Sequence, residues 1–433
     1  MLSSTIKKFL WLGVLSAILL TIAACSQSAP SKQTITFMVF GDPAERQAYL
    51  DLVDAFHQTH PNIHIEVTHI PSPRDYRTRL ATEFAAGNPP DISLWNYRRY
   101  ASFVANDLLE PLDPFLRDSN LIQPEDFYPI TIEAFTWDGK IMCIPQNISS
   151  LVVYYNKDMF DAAGIPYPAD DWDWNDFVGT AIALTKDFDN DGSIDQYGLG
   201  VDISLYRLAP FVWQNAAPIV NDDKNPTRLT LTRPPSLEAL QWFVDLRQVH
   251  GVIPSRVEET AMDSETRFVA GITAMYLNSR RGTPAYREIE DFAWDVAPLP
   301  QNKAVAGILH SDAYCLSRLT ENKEAAWIFI EYANSFVGQT IIAGSGRTVP
   351  SLIGVAESAA FLDPAQSPQR SRVWLDGIPA LRMVPVLSTW QEIEKIASEE
   401  IERAVYGDIT AEEAAIISFQ RTEEYFLLGA SAP

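Results

Sequence analysis

The chain has 433 residues, 47% of them hydrophobic and 11% aromatic, and a formal net charge of −23. That length and apolar content suffice for two domains of ordinary size or one large one. The acidic balance argues against nucleic acid or an anionic lipid surface as a partner, because phosphate contacts need basic patches, and it identifies no ligand by itself.

At the N-terminus, Lys7 and Lys8 precede an apolar run over residues 9–20, FLWLGVLSAILL. About a dozen apolar residues make a signal-peptide core and fall short of the roughly 20 that a membrane span needs. The run ends in Ile22-Ala23-Ala24-Cys25, which resembles the lipobox of bacterial lipoproteins. The resemblance implies a signal peptide over 1–24 and lipidation, as in palmitate attachment, at Cys25. Two acyl chains or more give stable anchoring where one gives marginal binding. Residues 26–33, SQSAPSKQ, lack an apolar period and read as a tether. The expectation is an exported protein, lipid-anchored to the outer face of the cell membrane or on the periplasmic side. No later stretch approaches the roughly 18 consecutive apolar residues of a second span.

The body opens with a strand over Thr34 to Phe40, then a Gly-Asp-Pro turn and a helix with Tyr49, Leu52, Val53 and Phe56 at helical spacing. HPNIHIEVTHI reads as a second strand, DYRTRLATEFAAG as a helix closed by Gly87, and NPPDISLW as a third strand. This alternation predicts an α/β fold with a largely parallel sheet, whose ligands sit beyond the carboxyl ends of the strands. The middle continues in the same style. SSLVVYYNKDMF is a strand entering a helix, PSLEALQWFVDLRQVHG a helix ending at Gly251, and ETRFVAGITAMYLN a helix, a turn and a strand. NKEAAWIFIEYANS and TWQEIEKIASEEIERAVYG are later helices, the second strongly amphipathic. Of the three cysteines, Cys25 is assigned to lipid; Cys143 and Cys315 sit in apolar, strand-like runs and read as two buried thiols in preference to a bridge.

In order, ITFMVFGD (35–42), AFHQTHPNIHIEV (55–67), GNPPDISLW (87–95), LLEPLD (108–113), GKIMCIP (139–145), VVYYNKDMFDAAGIP (152–166), WDWNDF (172–177), RFVAGITAMYL (267–277) and APLP (297–300) resemble the extracellular solute-binding proteins of ABC sugar importers, the maltose-binding type. The resemblance implies two α/β lobes joined by a hinge, the type II periplasmic-binding-protein fold. Lobe 1 would hold 34–144 plus about 308–352 and lobe 2 would hold 145–307 plus about 353–433. The chain would cross near Ile144-Pro145-Gln146, near Pro298 to Ile308 and near 350–360. It further implies a monomer that binds a carbohydrate between the lobes, performs no chemistry on it, requires no cofactor and hands it to a membrane permease.

Sugars need flat aromatic faces and fixed hydrogen-bonding groups. By resemblance, Asp42 in the GD turn, Trp95 at the end of the third strand with its neighbour Asn96, and Ser149 after the first crossing are candidate ligand-binding residues. Arg98 stands where the maltose-binding type carries an aspartate, Ser149 where it carries an acidic residue, and Arg281 where it carries a stacking aromatic. These departures leave room for an acidic sugar or a sugar phosphate. Tyr276, Asn278, Trp213 and Trp374 complete the candidates, with core packing as the alternative for each tryptophan. Asp187, Asp189, Asp191 and Asp195, with Gly192 at the sharp turn, match the first nine positions of an EF-hand-type calcium loop. Its twelfth position is Gly198, so the choice is between a structural Ca²⁺ and a solvated Asx turn. The competing reading of the whole is a carbohydrate-active lipoprotein enzyme, which needs two carboxyls about 5–10 Å apart across a cleft.

Overall fold

A computed structural model describes residues 32–429. The signal segment, Cys25 and most of the tether lie outside the described residues. Nine strands build two sheets: β1 (Gln33–Phe40), β2 (Ile63–Ile70), β3 (Ile92–Asn96), β4 (Cys143–Pro145), β5 (Val152–Asn156), β6 (Tyr197–Gly200), β7 (Thr273–Asn278), β8 (Trp294–Ala297) and β9 (Asp312–Leu316). The first sheet has the order β2-β1-β3-β9-β4 and the second β8-β5-β7-β6.

The β-branched and aromatic run of β1 suits a strand covered on both faces. Its Ile35, Phe37 and Val39 point to one side, against Tyr49, Leu52 and Phe56 of α1 (Pro43–Thr59), while Met38 points to the other. Asp42 starts α1: its side chain accepts from the Glu45 N–H at 2.9 Å, and Pro43 follows at the first helical position. Ser72 and Pro73 start α2 (Pro73–Ala85) in the same way.

The first sheet is parallel only where β1 pairs with β2 and β3; β9 joins antiparallel to both β3 and β4. In the second sheet β5 runs antiparallel to β7 and β8, and only β6 is parallel to β7. The sequence reading of one continuing parallel style therefore holds for the first three strands alone. An apolar strand reads the same whichever way its neighbour runs.

Cys143 and Cys315 are directly opposite one another in the β4–β9 pair and form a disulfide, with Cα atoms 4.4 Å apart. This corrects the expectation of two separate thiols. Each residue does sit in a buried strand, but antiparallel pairing of segments 172 residues apart in sequence brings the two side chains to the close spacing of a facing pair.

Three segments connect the sheets. The chain leaves β4 for β5 at 146–151, returns from β8 to β9 at 298–311, and leaves again after the helices α5 (Lys323–Asn334) and α6 (Phe336–Gly344), which pack on the first sheet and α1. The connections zip together: Ser149 bridges His310 and Asn147 bridges Pro350, with Ile148 N–H donating to the Val349 carbonyl at 2.8 Å. Beyond the second sheet, α3 (Leu205–Gln214), α4 (Pro234–Gln248), α7 (Trp390–Val405) and α8 (Ala411–Leu428) pack on one another. Among the described residues no helix is long and apolar enough to cross a membrane.

Candidate ligand-binding cleft

The carboxyl ends of β1, β3 and β7 open onto a cavity of about 380 Å³ between the two sheets, where Phe40, Asn96 and Ser279 form part of its wall. Its floor is the zipped connection, through Asn147, Ser149 and His310. Helices close the sides: Glu45 from α1, Pro73 and Arg77 one turn apart on α2, Tyr206 and Arg207 from α3, and Glu394 from α7.

Charge dominates this wall, and most of it is paired. Arg98 Nη1 lies 2.8 Å from both oxygens of Glu394, and Arg99 Nη2 lies 2.7 Å from one of them. Burial alone would raise the Glu394 pKa, but the two guanidinium groups outweigh it and hold the carboxyl below its ordinary value. Arg207 pairs with Asp202 at 2.9 Å and Arg281 with Glu265 at 3.0 Å. Arg347 reaches three groups: Asp42, Glu45 at 2.8 Å and the Arg281 carbonyl at 3.2 Å. Burial pushes the Glu45 carboxyl up to about 7, with Arg347 pulling the other way.

Two further groups are poised for hydrogen bonding. Asp312 accepts from Asn96 Nδ2 at 3.0 Å and from Asn147 Nδ2 at 3.3 Å, and its carboxyl is raised by burial. His310 stacks on Tyr206 at 4.6 Å, and burial, with Arg207 and Arg98 nearby, drives its pKa well below the usual value. The ring is therefore a neutral imidazole. Its Nε2 and the Arg207 Nε are buried with no hydrogen-bond partner. Buried polar atoms left unpaired cost about 1–3 kcal/mol each, so a ligand supplying partners here gains that amount.

Four of the residues singled out from the sequence line this cavity: Asn96, Arg98, Ser149 and Arg281. Asp42 sits at its edge, engaged as the α1 cap and with Arg347. Trp95 does not line it. Successive strand residues face opposite sides of a sheet, so with Asn96 toward the cleft, Trp95 turns into the core, 4.3 Å from Phe103, and donates Nε1–H to Ser93 Oγ at 2.7 Å. Asn278 is fully buried one layer below the wall, donating to Glu265 and Tyr286 and accepting from Arg281. Tyr276 is likewise buried, with its hydroxyl toward Asp202 at 3.4 Å. Trp213 and Trp374 are core residues covered by Arg382 and Arg280 respectively.

Sequence reading missed Glu45, Tyr206, Arg207, His310, Asp312, Arg347 and Glu394. Tyr206 and Arg207 belong to α3, whose interior Pro210 disguises the helix. The signal that marks it is Ser204, which caps α3 by accepting from Arg207 N–H.

The aspartate loop lies apart from the cleft. Oxygens of Asp187, Asp189 and Asp195 converge within 4.8 Å, without Asp191. Asp191 instead accepts from Ser193 N–H at 2.7 Å, while Gly192 turns with a φ of +91° and donates to Asp187 at 3.0 Å. Carboxylate oxygens are the ligands a hard cation such as Ca²⁺ takes, so the residues fit that ion.

A family model for bacterial extracellular solute-binding proteins matches residues 41–339. A putative binding protein of Brucella abortus (strain 2308) is 24% identical over 340 residues, covering 76% of this chain and 78% of that protein. An ABC substrate-binding protein of Listeria monocytogenes, solved in complex with cycloalternan, matches with a TM-score of 0.83 at 26% identity, over 91% of this chain and 98% of that one. Maltose-bound MalE3 of T. maritima matches with a TM-score of 0.76 at 21% identity, over 91% and 99% of the two chains. The two-lobe α/β architecture expected from the sequence is the fold of these structures.

Proposed function

Because the chain belongs to the bacterial extracellular solute-binding protein family, we propose that it is the capture component of an ABC importer. It takes a mono- or oligosaccharide into the cleft between its lobes and passes it, chemically unchanged, to a membrane permease. The observation that carries this reading is the pair of buried, unpartnered nitrogens, Arg207 Nε and His310 Nε2, on the wall of a cavity to which both lobes contribute. Sugar hydroxyls both donate and accept, so they satisfy either group.

Lobe 1 comprises 34–144 and about 308–352, lobe 2 comprises 145–307 and the chain from about 353, and the zipped connection is the hinge. Cargo held by one lobe in an open form gains contacts from the other on closing. That difference in affinity is what shifts the population toward the closed form. Asn96, Arg98, Ser149, Asp312 and Arg281 hold hydroxyls, while Asp42 acts through Arg347.

A thermal-shift screen of the purified protein tests the carbohydrate reading, since a ligand that binds only the native state raises Tm by mass action. A panel of neutral sugars, uronic acids and glycerol phosphates that moves nothing would end it. Mass spectrometry of the recovered cargo tests the claim that no bond is broken; hydrolysed glycoside would favour the enzyme alternative.

Two accessory features belong to the same reading. Cys25 carries a lipid anchor, supported by the Ile22-Ala23-Ala24-Cys25 sequence; an unlipidated N-terminus in intact-mass spectra would refute this. Asp187, Asp189 and Asp195 hold a structural Ca²⁺ that clamps the second lobe. Micromolar-to-millimolar Ca²⁺ then raises Tm in the wild type and not in Asp189→Asn; equal melting in Ca²⁺ and in chelator refutes it.

A further inference from the structure

One corner of the cleft does not balance its charge. Arg98 and Arg99 follow the end of β3, and Arg77 projects from the second turn of α2 into the same wall. The three guanidinium groups share a single carboxylate, Glu394, whose two oxygens are already taken by Arg98 and Arg99. Among the described residues Arg77 forms neither a side-chain hydrogen bond nor an ion pair. Arg99 Nη1 is buried and without a partner. Burial together with the neighbouring Arg99 and Arg98 lowers the Arg77 pKa, the signature of a cation crowded by cations. The remaining arginines of the wall differ in this respect: Arg207, Arg281 and Arg347 each have a carboxylate of their own, Asp202, Glu265 and Asp42.

The aromatic ring beside Arg98 at this corner, Tyr206, is not an open plate. Arg98 lies 3.5 Å above the Tyr206 ring and His310 stacks on that ring at 4.6 Å. Two groups this close cannot share one face, so both faces of Tyr206 are covered. A sugar ring therefore finds no stacking surface on Tyr206; Phe40 is the aromatic side chain left in the wall, and the unpaired guanidinium N–H groups are what the corner offers a charged group. Guanidinium matches carboxylate and phosphate with paired, charge-assisted hydrogen bonds.

We propose that the cargo is an acidic saccharide, whose carboxylate or phosphate docks against Arg77 and the free N–H of Arg99 while its hydroxyls meet the paired groups of the rest of the wall. This rests on the carbohydrate reading above. It makes the anion a specificity determinant: the neutral analogue leaves two cations facing each other in a partly buried site, where their repulsion is poorly screened.

The test is isothermal titration of the purified full chain in detergent with matched probes. These are glucose against glucuronate, galacturonate and glucose 6-phosphate; maltose against digalacturonate; and inorganic phosphate alone. The expected result is an acidic saccharide bound at least about 100-fold more tightly than its neutral partner, with that preference shrinking as salt is raised. Whether uronates or sugar phosphates win identifies the anion. Arg77→Gln, which breaks no intramolecular bond and relieves the crowding of like charges, is expected to cut the preference at least about tenfold with apo Tm no lower than wild type, and Arg77→Lys to restore part of the preference. Should Arg77→Gln fail to fold, the salt dependence of the wild-type preference decides the matter. Neutral sugars binding as tightly as acidic ones overturn the inference and leave the carbohydrate reading intact. Silence from every saccharide overturns both. Inorganic phosphate matching the best saccharide upholds the anion site and overturns the sugar.

Discussion

Single residues of this cleft are legible from sequence when they sit on a strand end or turn, and illegible when distant chain segments deliver them. Asn96 ends a clear strand, Arg98 follows it, and Ser149 follows a clear crossing; all three line the cavity. Trp95 shows the limit: its neighbour's position decides which way it points, and periodicity alone does not say which of two adjacent residues faces the cleft. Glu45 is a different case, an ordinary helix glutamate until Tyr49, itself bonded to Gln146, and Arg347 meet it. Its raised pKa has a definite sign. A carboxyl that is held protonated in the fold contributes stability below its unfolded value of 4.5, and that contribution is lost as pH rises through about 7. Glu45→Gln is thus expected to flatten the decline of Tm between those two pH values, whatever its effect on absolute Tm. Parallel Tm–pH curves for the two proteins would show that Glu45 ionises normally.

At the scale of elements, helices declared themselves by apolar spacing and caps. Lys323–Asn334 and Trp390–Val405 lie inside segments read as helices from the sequence, and Pro234–Gln248 starts one residue before its segment. Leu205–Gln214 did not, because its Pro210 removes an N–H donor and ordinarily ends a helix; burial of all ten of its residues outweighs that cost. Strands were legible as strands, while their partners were not. The disulfide follows from partnership: it ties β4 to β9 and closes a loop of 172 residues. Cross-linking a long loop stabilises mainly by restricting the unfolded chain. Cys143→Ser with Cys315→Ser is expected to lose about 2–5 kcal/mol in urea unfolding, and dithiothreitol should lower wild-type stability toward the same value. Unchanged stability would show that the pair is not closed in the native protein.

At the scale of the molecule, what joins the lobes in this structure is charge as well as chain. Arg98 and Arg99, just beyond β3 of the first sheet, meet Glu394, on the α7 helix that packs with α3 and α4 beyond the second sheet. Breaking a buried pair strands a charge and costs several kcal/mol. Glu394→Gln is therefore expected to favour the open form, with a larger apo radius of gyration by small-angle scattering. An apo radius identical to wild type would remove these pairs from any role in closure. The sequence by itself determined the α/β class, the helices with clean apolar periods and the order of motifs that marks the family. Each of these rests on local backbone preference and short-range spacing, which a linear chain carries in full. Only the tertiary structure decided the sheet directions, the Cys143–Cys315 bond, and the meeting of Arg77, Arg99 and Glu394. These depend on segments separated by tens to hundreds of residues, whose encounter is fixed by the joint packing of two lobes and by no spacing along the chain.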